Sequence, residues 1–322
     1  MKKALSIFAL CLLLITGCAK QSVSGASMAS TVTSEATSSS AASTPVLKEG
    51  DYDYIVQDGS VTIVKYNGTS ENIVIPDTID GLPVKAIGDS AFRNNSTLKS
   101  VVISDSVISI GTSAFESCSA LKTVTMGKSV EVISDFSFEN TSIEEIKIES
   151  DLKEVGRWAF YDCRNLKLIT LPESVEAIGE GAFAKTNLEE FEFPSKVKIV
   201  SSFIFKAAVH LKEVTLPAHC EVIDALAFQY TGGLNELSIP DSVIDMSYAF
   251  EDCRRELVLL YDNNPLVPQY ARENNILCFK KSEYNPVLTV ELVNGKPLND
   301  FKNLGTSQED YNFVKRCAPT EM

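Results

Sequence analysis

Apolar and polar positions recur along the middle of this chain with a period of 22–23 residues. Phenylalanine returns at Phe92, Phe115, Phe138, Phe160, Phe183, Phe205, Phe228 and Phe250, at intervals of 23, 23, 22, 23, 22, 23 and 22 residues. A branched apolar residue stands five positions before it (Ile87, Ile110, Ile133, Val155, Ile178, Val200, Ile223). A small residue stands four before it (Gly88, Gly111, Ser134, Gly156, Gly179, Ser201). After each Phe comes a polar turn and then an apolar triplet spaced L-x-x-L-x-L, as in Leu98/Val101/Ile103 and Leu166/Ile169/Leu171. The last two members of the triplet alternate as strand positions do. Proline often follows (Pro76, Pro172, Pro194, Pro217, Pro240) and ends the strand by removing a donor. Self-similarity at this period predicts a β-rich α/β solenoid of about eight turns, with short strands, short helical or 3-10 turns and one continuous core. Two of the 22-residue intervals carry their deletion in the turn after the Phe, at 140–142 and 185–187, where length changes are tolerated. The eighth unit places Glu256 at the first triplet position and shortens the segment Met246–Phe250, so an irregular turn is expected there.

In L-x-x-L-x-L the first, fourth and sixth side chains point inward, and the third and fifth project from the strand face, expected to be concave. Unit by unit the projecting pairs are Ser100/Val102, Thr123/Thr125, Glu145/Lys147, Leu168/Thr170, Glu190/Glu192, Glu213/Thr215 and Glu236/Ser238. Glu190, Glu213 and Glu236 should therefore form a column on consecutive turns, with Glu192 beside them and Glu145 further along. The column is a candidate site for a basic partner such as a Lys/Arg-rich protein segment, with Ca²⁺ bridging the lesser option; the plain alternative is a solvated acidic face without a ligand. No aromatic residue projects from this face, which weighs against a sugar platform there.

The units ISDSVISIGTSAFESCSALKTVTM (103–126) and LPESVEAIGEGAFAKTNLEEFEF (171–193) resemble BspA-type leucine-rich repeats, also called the Treponema pallidum type. Residues 61–92 resemble that family's opening strands and residues 257–279 its closing cap, so the resemblance covers about residues 51–280. It implies a right-handed leucine-rich repeat coil and adhesion-like roles, including binding of host extracellular-matrix proteins and other cells.

The ends of the chain read differently. Lys2 and Lys3 precede an apolar run over 4–15, too short to span a membrane, and the run ends in Leu14-Ile15-Thr16-Gly17-Cys18. That string resembles a bacterial lipobox, which implies a signal peptide over 1–17 and lipidation of Cys18; lipid chains on one residue anchor firmly. A Ser/Thr-rich tether follows over 18–46, the solenoid with opening strands and cap over 47–283, and a tail of uncertain structure over 284–322, with one alternating segment at 287–292. Residues 21–44 have too few large apolar side chains to fold, and as a coil would span roughly 27 Å.

Composition narrows the function. The formal charge is −14, or −16 once Lys2 and Lys3 leave with the signal (−14 − 2). An acidic surface argues against nucleic acid and against direct binding to anionic lipid, leaving the lipid on Cys18 as the membrane contact. Of the eight cysteines, Cys118, Cys163 and Cys253 share one slot three residues after the Phe. Cys118 and Cys163, two turns apart, should sit roughly 10 Å from each other, beyond disulfide reach. Cys220 reads as a small buried hydrophobe, and Cys278 and Cys317 remain candidates for a pair. The chain has no C-x-x-C and only two histidines, His210 and His219, so no metal is expected, and no nucleophile, metallohydrolase or phosphate-loop motif occurs. With neither cofactor nor catalytic residue expected, the sequence points to a monomeric, surface-anchored lipoprotein that binds protein partners. The alternative is a glycan- or peptide-capturing surface lipoprotein serving uptake.

Overall fold

The structure, a computed structural model, describes residues 45–253 and 257–284. The lipidation candidate Cys18, the 287–292 segment, Glu256 and Cys317 lie outside these residues.

An antiparallel meander opens the fold: Leu47–Glu49, Tyr52–Gln57 and Ser60–Tyr66. The third strand then pairs in parallel with Leu82–Ile87 and starts the coil. From here each unit has two strand-bearing sides and one turn side. The apolar triplets supply three-residue strands, paired in parallel and in register as Ser100↔Thr123, Glu145↔Leu168 and Glu190↔Glu213. The branched residue five before each Phe ends a two-residue strand, and these stack from Ser109–Ile110 to Ala177–Ile178 and again in Ile199–Val200 with Val222–Ile223. In the eighth unit this second ladder shrinks to a single bridge, Val222↔Asp245, the irregularity expected of the shortened segment.

The third side is built without strands but is held by a regular set of backbone hydrogen bonds. In successive units the N–H groups two before the Phe, at the Phe and two after it donate to the next unit, as in Ser90 to Thr112, Phe92 to Ala114 and Asn94 to Glu116. The intervening N–H groups turn back within the unit, as Ala91 to Gly88 and Arg93 to Ser90. This alternation needs two residues of positive φ per unit. One column, Ser90, Ser113, Phe136, Trp158, Gly181, Phe203, Leu226 and Tyr248, has φ between 55° and 62°, and the column two after the Phe runs from 54° to 61°. The small residue four before the Phe answers to a close approach: a Cβ on Gly111 would stand 2.7 Å from the backbone of Gly88.

The core is a continuous ring stack. Phe92 to Phe250 follow one another at centroid spacings of 4.8–6.1 Å, with Tyr66 stacked on the first ring at 5.1 Å and Tyr270 edge-on to the last at 6.0 Å. The widest step, Phe183 to Phe205, is where Phe191 leans against both rings. Tyr270 comes from the cap helix Leu266–Asn274, which ends in left-handed Asn275 and lies between the parallel strands Val258–Tyr261 and Leu277–Lys280.

The slot three after the Phe carries a buried polar ladder. In the short turns Thr141 and Thr186 donate their hydroxyls to the carbonyls of Phe138 and Phe183, three residues back. Cys118, Cys163 and Cys253 instead donate their thiols to the Phe carbonyl of the preceding unit (Phe92, Phe138 and Phe228) at 2.9–3.1 Å. Cys118, Cys163, Cys220 and Cys253 are free thiols; burial pushes Cys118 up to about 12 and Cys163 up to about 11, which removes thiolate chemistry at neutral pH.

Candidate functional site: the strand face and the turn edge

Most three-residue strands of the coil bury their middle residue and expose the flanking two, although Val214 between Glu213 and Thr215 is only half-buried. Thr123–Thr125, Glu145–Lys147, Leu168–Thr170, Glu190–Glu192 and Glu236–Ser238 all follow this rule, with Val124, Ile146, Ile169, Phe191 and Leu237 in the core. The exposed sides line two hollows. The larger, about 1310 Å³, runs over the first units between Val74, Val102, Thr125, Lys147 and Leu168. The smaller, about 250 Å³, holds Glu190, Glu192, Glu213 and Thr215.

Charge divides this face. Beside the projecting pairs runs a rim of alternating sign, in which Lys99 pairs with Glu71 at 2.7 Å, Lys122 with Glu144 at 3.3 Å and Lys212 with Glu189 at 2.7 Å. Lys212 holds the Glu189 carboxyl below the usual range, by hydrogen bond first and charge second. The face itself lacks this compensation. Among the described residues Glu145, Glu190, Glu192 and Glu213 have no hydrogen-bond or ion-pair partner, and Lys147 turns to Glu149 at 2.6 Å. Glu190 and Glu213 are directly opposed across paired strands, a like-charge contact that costs some tenths of a kcal/mol. Glu236 continues the sequence pattern but pairs onward to Val258, and it accepts a hydrogen bond from the Tyr284 hydroxyl. The structure therefore brings Glu190, Glu192 and Glu213 together, engages Glu236 with Tyr284, and leaves Glu145 in the larger hollow. No group of three or more His, Cys, Asp or Glu among the described residues has the placement to hold a metal ion.

The aromatic side chains absent from the strand face stand on the turn edge, in or beside the positive-φ columns. Trp158 lies over Gly181, where a Cβ would fall 2.2 Å from the indole, and faces Phe203 at 6.2 Å. Tyr161 meets Trp158 edge-on at 5.1 Å. Lys185 and Lys206 place their ammonium groups 4.8 Å over the rings of Tyr161 and Phe203. This edge is absent from the sequence-based expectations; its signal is the position two before the Phe, where Phe136, Trp158, Phe203, Leu226 and Tyr248 fall in one column.

Comparison with known proteins agrees with this architecture. The model of the BspA type leucine rich repeat region matches in six copies, over residues 85–210 and 131–256. A leucine-rich repeat protein from Bacteroides ovatus has a similar structure, with 21% identity over 74% of this chain and 68% of that one and a TM-score of 0.50. The leucine-rich repeat protein of T. pallidum aligns at 20% identity over 73% of this chain and 98% of its own, TM-score 0.46. A leucine rich cell surface protein from Faecalibacterium prausnitzii aligns at 26% identity over 67% and 76%, TM-score 0.45. No curated protein matches. With eight in-register units, two strand ladders and the repeat model matched over more than half its length, the chain belongs to the BspA-type leucine-rich repeat family, whose coil is a scaffold for binding.

Proposed function

We propose that this protein is a bacterial surface lipoprotein, anchored through Cys18 and lifted by its Ser/Thr-rich tether, whose strand face binds a partner protein through a basic segment. The observation that carries this reading is the contrast between rim and face. Glu144 and Glu189 on the rim are neutralised by lysines, whereas Glu190, Glu192 and Glu213 on the face stand open beside a hollow. Leaving like charges opposed costs stability, and a cationic ligand recovers that cost on binding. The first units, with Val74, Val102 and Leu168 exposed among threonines, offer apolar area to the same partner. Adhesion to host matrix or cell-surface proteins is the role this arrangement fits.

The test is binding of the intact chain to immobilised matrix proteins at low and high salt, alongside a Glu190→Lys, Glu213→Lys, Glu236→Lys variant. Affinity should fall with salt and by roughly tenfold or more in the variant. Unchanged binding in the variant removes the strand face as the site.

A further inference from the structure

The turn edge of the later units presents rings where the backbone favours none. The position two before each Phe has positive φ in all eight units, a conformation that suits Gly, Asn or Asp and penalises bulky side chains. Gly181 and Ser113 satisfy it cheaply; Phe203, Leu226 and Tyr248 do not. Core packing repays little of this at Tyr248, which is 68% exposed, or at Tyr230 in the second positive-φ column, which is 52% exposed. Costly backbone conformations held at an exposed surface point to use rather than packing.

The chemistry of that use can be read nearby. Two rings of the edge already carry ammonium groups, Lys185 on Tyr161 and Lys206 on Phe203, so ring faces here accept cations. Among the described residues no cation lies over Tyr230 or Tyr248, and the backbone sets an acidic residue next to each: the Tyr230 N–H donates to the Asp252 carbonyl at 3.3 Å and the Glu251 N–H to the Tyr248 carbonyl at 3.4 Å. The charge of Asp252 first, and that of Glu251 further down, raise the Tyr230 hydroxyl above its ordinary value. Asp252 otherwise accepts from Gln229 Nε2 at 3.0 Å, and Glu251 has no ion-pair partner among the described residues. Arg254 and Arg255, next in sequence, lie outside those residues. An open ring beside carboxylates is complementary to a guanidinium or ammonium group and repels anionic ligands.

We propose that the turn edge of the last units is a second docking strip, taking Arg and Lys side chains of a partner protein onto Tyr230 and Tyr248 between Glu251 and Asp252. The strip lies on a different side of each unit from Glu190 and Glu213 and does not depend on the strand-face reading.

The probe is a short peptide of alternating arginine and serine, titrated against the full-length protein. A Tyr230→Leu, Tyr248→Leu variant, whose charge is unchanged, should bind roughly tenfold more weakly. The Tyr230→Phe, Tyr248→Phe variant keeps the rings and should bind as the parent does, which separates ring chemistry from any loss of folding. A Glu190→Lys, Glu213→Lys variant should retain peptide binding to the edge. Parent-like affinity in the leucine variant, or loss only in the lysine variant, overturns the strip. Tyrosine-dependent binding of a neutral oligosaccharide without peptide binding overturns the ligand class.

Discussion

On the strand face, alternate side chains of an ordinary extended backbone point outward, and any residue can occupy them at little conformational cost. On the turn edge, the same unit-to-unit hydrogen bonding is reached only by holding two residues per unit at positive φ. The same 22–23-residue period therefore produces two surfaces with different economies. A threonine or glutamate on the strand face says little about the backbone beneath it. A tyrosine at φ 60° has been retained against a local penalty, and its presence carries more information.

Substitutions can break or sharpen this contrast. The largest effect is expected beneath the turn edge: Phe160→Ala removes a ring stacked at 5.3 Å and 5.8 Å on its two neighbours and should cost about 3–5 kcal/mol in urea unfolding. Thr123→Ala on the strand face should stay within about 0.5 kcal/mol. Next comes Gly181→Ala, which adds a Cβ at positive φ into the indole of Trp158; a loss of about 1–2 kcal/mol is expected, with red-shifted emission from the sole tryptophan as it is displaced toward water. Tyr248→Asn should raise the melting temperature, by up to about 1 kcal/mol of stability, because asparagine tolerates the same φ. No gain would mean that the edge carries no strain at this residue.

The smallest effect is a pH signature. Glu139, on the turn edge, has its carboxyl raised by burial first and by Glu116 and Asp162 next. A raised carboxyl favours the fold when protonated, so that contribution is present below the unfolded value and is lost as pH rises through the folded one. Glu139→Gln should thus be slightly more stable than the parent at neutral pH, with the difference vanishing in denaturation curves taken below the ordinary glutamate range. Glu189 on the strand side has the opposite sign: its carboxyl is lowered, so what it contributes is lost on acidification.

What could be read from sequence follows the same division. The solenoid and the neighbouring placement of Glu190 and Glu213 came from counting, because strand alternation and repeat length are properties of residue type and spacing. The turn-edge column is marked by spacing alone. Ser113, Trp158, Gly181 and Tyr248 share a backbone angle and no side-chain chemistry, so no pattern of types reveals them as equivalent. The slot after the Phe was recognised from Cys118 and Cys163, and the distance argument against disulfides was legible. The exchange of donors with Thr141 and Thr186 was not, since a thiol reaching back one unit and a hydroxyl reaching back three residues look unrelated in sequence. The bond from Tyr284 to Glu236 spans 48 positions and is set by the return path of the cap, which local pattern does not encode.

The phenylalanine stack is flanked by buried tyrosines, Tyr66 at one end, with Tyr52 tilted against it at 5.4 Å, and Tyr270 at the other, whose hydroxyl receives the N–H of Phe250. A stack of identical rungs is a one-dimensional crystal, and nothing in its interior tells it where to stop. The two tyrosines, one beneath an antiparallel meander and the other on a helix, offer an incoming copy neither a matching ring nor a matching ladder. Both end faces of the described coil therefore differ in chemistry from the rungs between them, which sets the ends apart from the repeating interior.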